Sequence, residues 1–197
     1  MKVDIGDYLY NPINVHNSLK IPFRENGIAN PFGIRTLNRK AGKYDDILGV
    51  WWIEKDGLIT MTTVKGTVDP GSFYLANPTN PGRGTLVLAA GHYSLAFKVG
   101  AFRNEPALLQ QGFTAFKFHL DNDKDANVDL TDKTLSGWQG VHWHRPFASG
   151  DDIGKSSAGC QVTADLVEHR AIMKRIFDRT VVVNGQGFVD YTLLEQR

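Results

Sequence analysis

Residues 47–64 read ILGVWWIEKDGLITMTTV, and this stretch decides the fold class. The runs Ile47 to Ile53 and Leu58 to Val64 are rich in β-branched and aromatic residues, which favour strands over helices. Between them, Lys55-Asp56-Gly57 is a typical turn sequence, because glycine adopts the backbone angles that tight turns require. The stretch therefore predicts two strands joined by a short turn.

Further strand-like segments follow toward the C-terminus, separated by turn signals such as Asp69-Pro70-Gly71. They are Ser72 to Ala76, Thr85 to Ala90, Tyr93 to Val99, Thr114 to Leu120, Thr180 to Val183 and Gly187 to Leu194. Short strands at this spacing predict a mainly β fold, either a sandwich or a barrel.

One helix and an N-terminal lead-in complete the predicted organisation. From Thr163 onward, apolar residues recur at helical spacing, and we expect Thr163 to cap the helix. Apolar residues in the segment 1–45 do not recur at the spacing of a helix or a strand, so this segment is predicted to be an extended, loop-rich lead-in. We expect residues 46–197 to form a single domain, since chains of this size normally build one core.

Charge and hydropathy argue against several classes of partner. The chain has 22 Lys and Arg against 21 Asp and Glu, with no basic stripe, so nucleic acid is not an expected partner. No stretch approaches the ~20 apolar residues of a membrane span, so membrane insertion is not expected. The N-terminus lacks the apolar run of a secretory signal, so we expect no export signal of its own.

A histidine-containing segment ends at the chain's single cysteine. Residues 140–162 read GVHWHRPFASGDDIGKSSAGCQV. A thiol becomes an effective nucleophile beside a base or in a positive field, and His142 or His144 can supply that base for Cys160. The two histidines share a face if their segment is a strand. A thiol paired in this way is expected to react rapidly with iodoacetamide near neutral pH.

The turn before the cysteine suggests further roles. Gly159 allows a sharp turn, and we expect the N–H groups of Gly159 and Cys160 to converge on a developing oxyanion. Ser157 has two alternative interpretations, a turn-forming residue or a hydrogen-bond donor toward substrate.

This segment resembles the catalytic domain of the L,D-transpeptidases, the YkuD fold. That family carries a histidine at the end of one strand and, about 16 residues later, a Ser-His-Gly-Cys motif; here His144 precedes Cys160 by 16 positions. The run from Ile153 to Cys160 and the upstream Thr62-Thr63, Asp69-Pro70-Gly71 and Tyr74 resemble a divergent, phage-associated branch ending in Ser-Ala-Gly-Cys. Two positions depart from the family pattern, Ala158 in place of histidine and Val162 in place of arginine or asparagine.

The resemblance implies a YkuD-like β-sandwich of mixed sheets with one short helix after the cysteine. It implies acyl transfer on peptidoglycan stem peptides, as an endopeptidase, a carboxypeptidase or an L,D-transpeptidase, with no cofactor required. Cys160 is then the nucleophile, His144 the base, and His142 a substrate-side neighbour. A phage lytic or injection role follows, with phage tail or virion components as partners. The protein would be made in the bacterial cytoplasm and reach the cell wall by release or delivery.

Two other functions are compatible with the sequence. His-x-His on a strand is also how zinc-dependent peptidoglycan endopeptidases of the lysostaphin type present ligands, and His119 with Asp123 meets the spacing of their upstream pair. In that alternative, zinc is bound by His119, Asp123 and His142 or His144. The other alternative is a phage structural or wall-binding protein that keeps the fold without catalysis.

An acidic segment between residues 121 and 132 matches part of a calcium-loop pattern. Oxygen-bearing side chains fall at the spacing that a hard cation requires. The candidate calcium ligands are Asp121, Asp123, Asp125, Asp129 and Asp132. Ala126 stands where glycine normally makes the sharp turn, and the alternative is a solvated acidic loop.

Overall fold

The computed structural model describes residues 1–39, 41–125, 127–130, 133–147 and 150–197, and strands dominate them. The strands are β1 (Lys2–Val3), β2 (Asn30–Arg35), β3 (Asp46–Ile53), β4 (Ile59–Thr67), β5 (Thr85–Leu88), β6 (Gly91–Phe102), β7 (Glu105–Leu109), β8 (Phe116–Asp121), β9 (Leu135–Gly137), β10 (Trp143–His144), β11 (Gln161–Thr163), β12 (Val181–Val183) and β13 (Gln186–Gln196). The helices are α1 (Ile5–Tyr10), α2 (Pro12–Leu19), α3 (Ser72–Ala76) and α4 (Leu166–Phe177). The prediction of a mainly β fold is confirmed.

The predicted strand pair over residues 47–64 is the antiparallel hairpin of β3 and β4. Gly57 has φ of +85° in the connecting turn, a conformation that favours glycine. Strand β3 is buried on both faces: Trp51 packs near α1 and α2, and Leu48 belongs to the core beneath α4. Because both faces are covered, β3 has a continuous run of apolar residues, whereas a strand with one exposed face alternates apolar and polar residues.

The main sheet closes on itself. In the described part of the chain, its strands neighbour one another in the order β13, β2, β3, β4, β11, β10, β7 and β6, and β6 pairs again with β13. This last pairing makes a barrel, whereas a sandwich keeps two separate sheets face to face. Strands β5, β8 and β9 form a separate, smaller sheet, with β8 in the centre.

The prediction of a loop-rich lead-in over residues 1–45 is wrong. This region contains two helices, and β2 lies between β3 and β13 in the main sheet. Asn11 and Pro12 mark the start of α2, where Asn11 accepts a hydrogen bond from Asn14 N and Pro12 occupies the first turn. Such a pair is as typical of a helix start as of a loop, which explains the error.

Two further expectations about helices are corrected. The segment Ser72 to Ala76, predicted as a strand, is helix α3, so more than one helix is present. The helix after the cysteine begins later than expected, because Asp165 caps it by accepting from Glu168 N. Thr163 lies in β11 and uses its hydroxyl to accept from Trp143 Nε1.

Among the described residues, no helix has the length and apolar character needed to cross a membrane.

Candidate active site

Two short parallel strands position the candidate catalytic residues. β10 and β11 pair with Trp143 opposite Gln161. Residues in register on parallel strands point to the same face, and residues along a strand alternate between faces. Trp143 and Gln161 both point into the core, where the Trp143 ring contacts Tyr191 and the Tyr191 hydroxyl donates to Gln161 Oε1 at 2.7 Å. The residues on either side of them therefore point away from this core.

That outer face carries His142, His144 and Cys160. The His142 carbonyl accepts from Gln161 N at 2.8 Å, which continues the pairing and brings His142 beside Cys160. Both imidazoles contact the ring of Phe102, with centroids 5.0 Å and 5.1 Å away, so the predicted shared face is present. His144 lies two residues beyond His142 and is in register with Val162. It is therefore a diagonal neighbour of Cys160 across the strand pair.

The turn into Cys160 depends on Gly159 and Ser157. Gly159 has φ of +116°, and a Cβ there would lie 2.7 Å from the Leu86 carbonyl oxygen, so only glycine fits. The Ser157 hydroxyl donates to the Cys160 carbonyl at 2.8 Å and accepts from Gly159 N at 3.1 Å. Ser157 is fully buried and its hydroxyl is used within the turn, which favours the turn-forming interpretation; its role in substrate binding stays a prediction.

The same contacts concern the predicted oxyanion donors. The Gly159 N–H donates to the Ser157 hydroxyl in this structure, and its role as an oxyanion donor stays a prediction. Among the described residues, the Cys160 N–H has no such partner and remains the candidate donor.

The Cys160 thiol is half-buried and contacts backbone groups. His142 N donates to Sγ at 3.4 Å, and Sγ lies 3.8 Å from the Gly140 carbonyl oxygen, to which it donates. Burial raises the pKa of Cys160 to about 11, and the hydrogen bond from His142 N only partly opposes this. Neither imidazole is hydrogen-bonded to Sγ, and the raised pKa favours the protonated thiol at neutral pH.

His144 is buried, neutral and held in one orientation. Its ring stacks on Phe147 at 4.7 Å with an interplanar angle of 9°. Burial lowers the pKa of His144 to about 4, and the bond to Arg145 acts in the opposite sense. Nδ1 lies 2.6 Å from the Arg145 carbonyl oxygen and must donate to it, which places the ring proton on Nδ1. The lone pair is then on Nε2, which is the basic nitrogen.

His142 has the opposite tautomer. Its Nδ1 accepts from Gln110 N at 3.2 Å, which places the proton of the neutral ring on Nε2. Burial also lowers the pKa of His142, which favours the neutral form of the ring. The free end of His142 is therefore a hydrogen-bond donor, whereas the free end of His144 is an acceptor.

Gln110 organises the loop that leads into the histidines, a role that sequence reasoning missed. Its Oε1 accepts from Gln139 N at 2.8 Å and Val141 N at 3.0 Å, and its Nε2 donates to the Gly137 carbonyl at 2.9 Å. In sequence, Gln110 is only a polar residue after a strand. Its importance comes from contacts with residues almost thirty positions away.

A cavity of about 250 Å³ opens beside Cys160. Its floor includes Leu86 from β5, Phe118 from β8 and the loop around Gly140. Of the described residues that line it, Arg83 is the one with a charge, and sequence reasoning missed it because an isolated surface arginine carries no pattern.

The zinc alternative receives no geometric support from the described residues. His119 lies on β8 in the smaller sheet, whereas His144 lies on β10 in the main sheet. Within the described ranges, no group of three or more His, Cys, Asp or Glu side chains is arranged to hold a metal ion.

The acidic segment forms turns of its own. Asp121 accepts from Asp129 N at 2.8 Å, Asp123 from Asp125 N at 3.1 Å, and Asp125 from Asn127 N at 2.5 Å. Asp132, the last predicted ligand, lies outside the described residues. The calcium site stays a prediction.

Comparisons of this chain with protein-family models, with curated proteins and with solved structures find no match.

The pKa of Cys160 predicts a characteristic alkylation profile. Because the folded-state pKa is raised to about 11, the thiolate fraction keeps growing through the alkaline range. We expect the iodoacetamide rate on native protein to rise about tenfold per pH unit from pH 7 to 10. In urea, the freed thiol should instead level off near pH 9. A native rate that is already constant near neutrality would show a thiolate–imidazolium pair and contradict this assignment.

The structure thus changes the expectation of rapid reaction near neutral pH. Slow alkylation is what a buried thiol shows, whether or not it is catalytic, and activity assays must distinguish the two cases.

Proposed function

We propose that this protein is a cysteine-dependent acyl-transfer enzyme that acts on peptidoglycan stem peptides, with the YkuD-like catalytic arrangement that residues 140–162 resemble. The observation that carries the proposal is the placement of Cys160 and His144 on one face of the sheet, with the His144 ring held by the Arg145 carbonyl so that Nε2 carries the lone pair. A histidine that acts as a general base must be in its neutral form and present the lone pair of one ring nitrogen, and His144 presents that of Nε2.

In the acylation step, His144 Nε2 takes the thiol proton while Sγ forms a bond to the peptide carbonyl carbon. The Cys160 N–H stabilises the oxyanion. His144 then gives the proton to the amide nitrogen, the C–N bond breaks, and the amine leaves behind a thioester. Because the thiol and imidazole are not hydrogen-bonded here, proton transfer requires a bridging water or a rotation of the Cys160 side chain on substrate binding.

The second step resolves the thioester. Water or an amine attacks its carbonyl carbon and gives up a proton to His144; the C–S bond then breaks, and the leaving sulfur takes that proton back to regenerate the thiol and the neutral imidazole. Water gives hydrolysis and an amine gives a crosslink. We favour hydrolysis in a phage lytic or injection role, with delivery to the cell wall by a virion or secretion machine.

His144 is favoured over His142 as the base on tautomer grounds. For His142 to accept a proton at Nε2, it would first have to lose the hydrogen bond from Gln110 N and move its own proton. His142 can instead donate from Nε2 to a substrate carbonyl or to the thiolate.

The test of this function uses purified sacculi and two inhibitors. Digestion should survive 1,10-phenanthroline and stop after alkylation of Cys160, the chain's single thiol. His144→Ala should lower the rate at least ~100-fold, since general-base catalysis contributes about 10²–10⁴. His142→Ala should lower it less.

The opposite inhibitor pattern would support zinc catalysis. Equal loss of rate in the two histidine variants would remove the assignment of His144 as the base. Absence of turnover by the folded wild-type protein on all sacculi tested would favour the non-catalytic alternative.

A further inference from the structure

The cavity beside Cys160 has an unusual charge composition. In the part of the chain that the structure describes, the polar side chains lining it are neutral except for Arg83, and none is acidic. The neutral polar residues are Thr79, Asn80 and Gln139. A cavity with one cation and no carboxylate favours an anionic group over a neutral one.

The guanidinium of Arg83 is available to such a group. Among the described residues, no side chain forms an ion pair or hydrogen bond with it, whereas Arg24, Arg35 and Arg170 each bind a carboxylate. An arginine fork matches the geometry of a carboxylate, to which it can donate two parallel hydrogen bonds.

The loop that carries Arg83 is held in place. Arg83 N donates to the Asn80 carbonyl at 2.9 Å, and Gly84 N donates to the same oxygen at 3.0 Å. Gly84 has φ of +94°, and a Cβ there would collide with the Asp121 carbonyl, so the loop packs directly on β8. Arg83 is thus presented at the cavity by a tight turn fixed to the sheet.

We propose that this cavity binds a free carboxylate of the acyl substrate and that Arg83 is the residue that selects it. This inference rests on the proposed function, because it assumes that the acyl group delivered to Cys160 enters through the cavity. The substrates are then limited, among stem peptides, to those that carry a free carboxylate near the carbonyl that is attacked. Peptides amidated at that position are poor substrates.

The ratio of two alkylation rates tests the anion selectivity without any enzyme assay. Iodoacetate and iodoacetamide attack the same thiolate, forming an S–C bond and releasing iodide, and differ in that iodoacetate carries a carboxylate. Their ratio is therefore independent of the thiol's pKa. At pH 9 and low salt, Arg83→Gln should lower the iodoacetate-to-iodoacetamide ratio by about threefold or more, the size expected for one nearby charge at an open site.

Two further variants sharpen this test. Arg83→Lys should keep much of the selectivity, because it keeps the charge. Arg197→Gln makes the same charge change on a C-terminal arginine that pairs with Asp7, and it should leave the ratio unchanged. Equal ratios in wild type and Arg83→Gln would overturn the proposal, as would a fall of equal size in Arg197→Gln.

A peptide pair then connects selectivity to turnover. With matched stem peptides that end in a carboxylate or a carboxamide, Arg83→Gln should raise KM for the carboxylate alone and leave kcat nearly unchanged. If wild type and variant discriminate equally in turnover, the substrate assignment is wrong. If no peptide is turned over but the alkylation ratio changes, the proposed function fails and the anion-binding cavity stands.

Discussion

Removal of the sulfur atom in Cys160→Ala should abolish digestion of purified sacculi, with a rate loss of at least about 10³-fold. The thiol is the one group of the proposed mechanism that forms a covalent bond to substrate, so no neighbouring residue can replace it. The side chain is half-buried, hydrogen-bonds only to backbone groups and packs at the edge of a small apolar cluster, so the small apolar side chain of alanine should leave the fold intact.

The control for this prediction is His119→Ala. His119 lies on β8 and belongs to the zinc alternative, so the acyl-transfer mechanism expects nearly normal activity in that variant. Digestion by Cys160→Ala at the wild-type rate, or loss of activity in folded His119→Ala, would contradict the proposed mechanism. Circular dichroism and thermal unfolding of both variants check the fold.

Arg35→Met should cause the largest loss of stability, about 3–5 kcal/mol in the free energy of unfolding. Arg35 is fully buried, and its guanidinium binds Asp69 at 2.7 Å, Glu195 at 3.4 Å and the Leu88 carbonyl at 2.7 Å. Methionine keeps much of the volume but removes the cation that pairs with buried Asp69 and leaves Glu195 with Arg39 alone, at 3.6 Å. Urea denaturation measures the change.

The pH dependence of this variant has a defined sign. Burial, followed by repulsion from Asp69, already raises the pKa of Asp46 in the folded protein to about 7, and Arg35 opposes this. A raised carboxyl pKa means that the folded state binds more protons, so the contribution of Asp46 to stability falls as pH rises from about 4 through 7. Without Arg35 this dependence should become steeper, and Arg35→Met should recover stability in acid.

An exposed arginine provides the matched control for Arg35. Arg170 pairs with Glu105 on the surface, and its side chain is 57% exposed. Arg170→Met should change stability little, because surface ion pairs are screened by water. A loss in Arg35→Met no greater than that in Arg170→Met would show that the buried cluster is not required for stability.

The strand-rich core could be predicted because it depends on local pattern. The β3–β4 hairpin follows from two apolar runs and a turn glycine, all within twenty residues. The N-terminal elements could not be predicted in the same way. Helices α1 and α2 are short and are stabilised by packing Tyr8 and neighbouring apolar residues against Trp51, a contact that only the closed fold creates.

In the candidate site, too, local sequence pattern predicts some features and tertiary contacts determine the others. The alternation of side chains along a strand was sufficient to place His142 and His144 on one face. The tautomers were not predictable, because they depend on Arg145 O and on Gln110 N, a donor from another strand region. The raised pKa of Cys160 and the position of Arg83 likewise come from residues brought together by folding.

The most direct test of the central claim is the intact mass of the protein during turnover of peptidoglycan peptides. With a soluble muropeptide in excess and rapid acid quenching, the wild-type protein should gain the mass of one acyl group, and peptide mapping should place it on Cys160. His144→Ala should form this thioester more slowly, and Cys160→Ala should form none. Turnover of the muropeptide by wild-type protein, with no adduct detected at any time point and no effect of alkylating Cys160, would contradict the proposed mechanism.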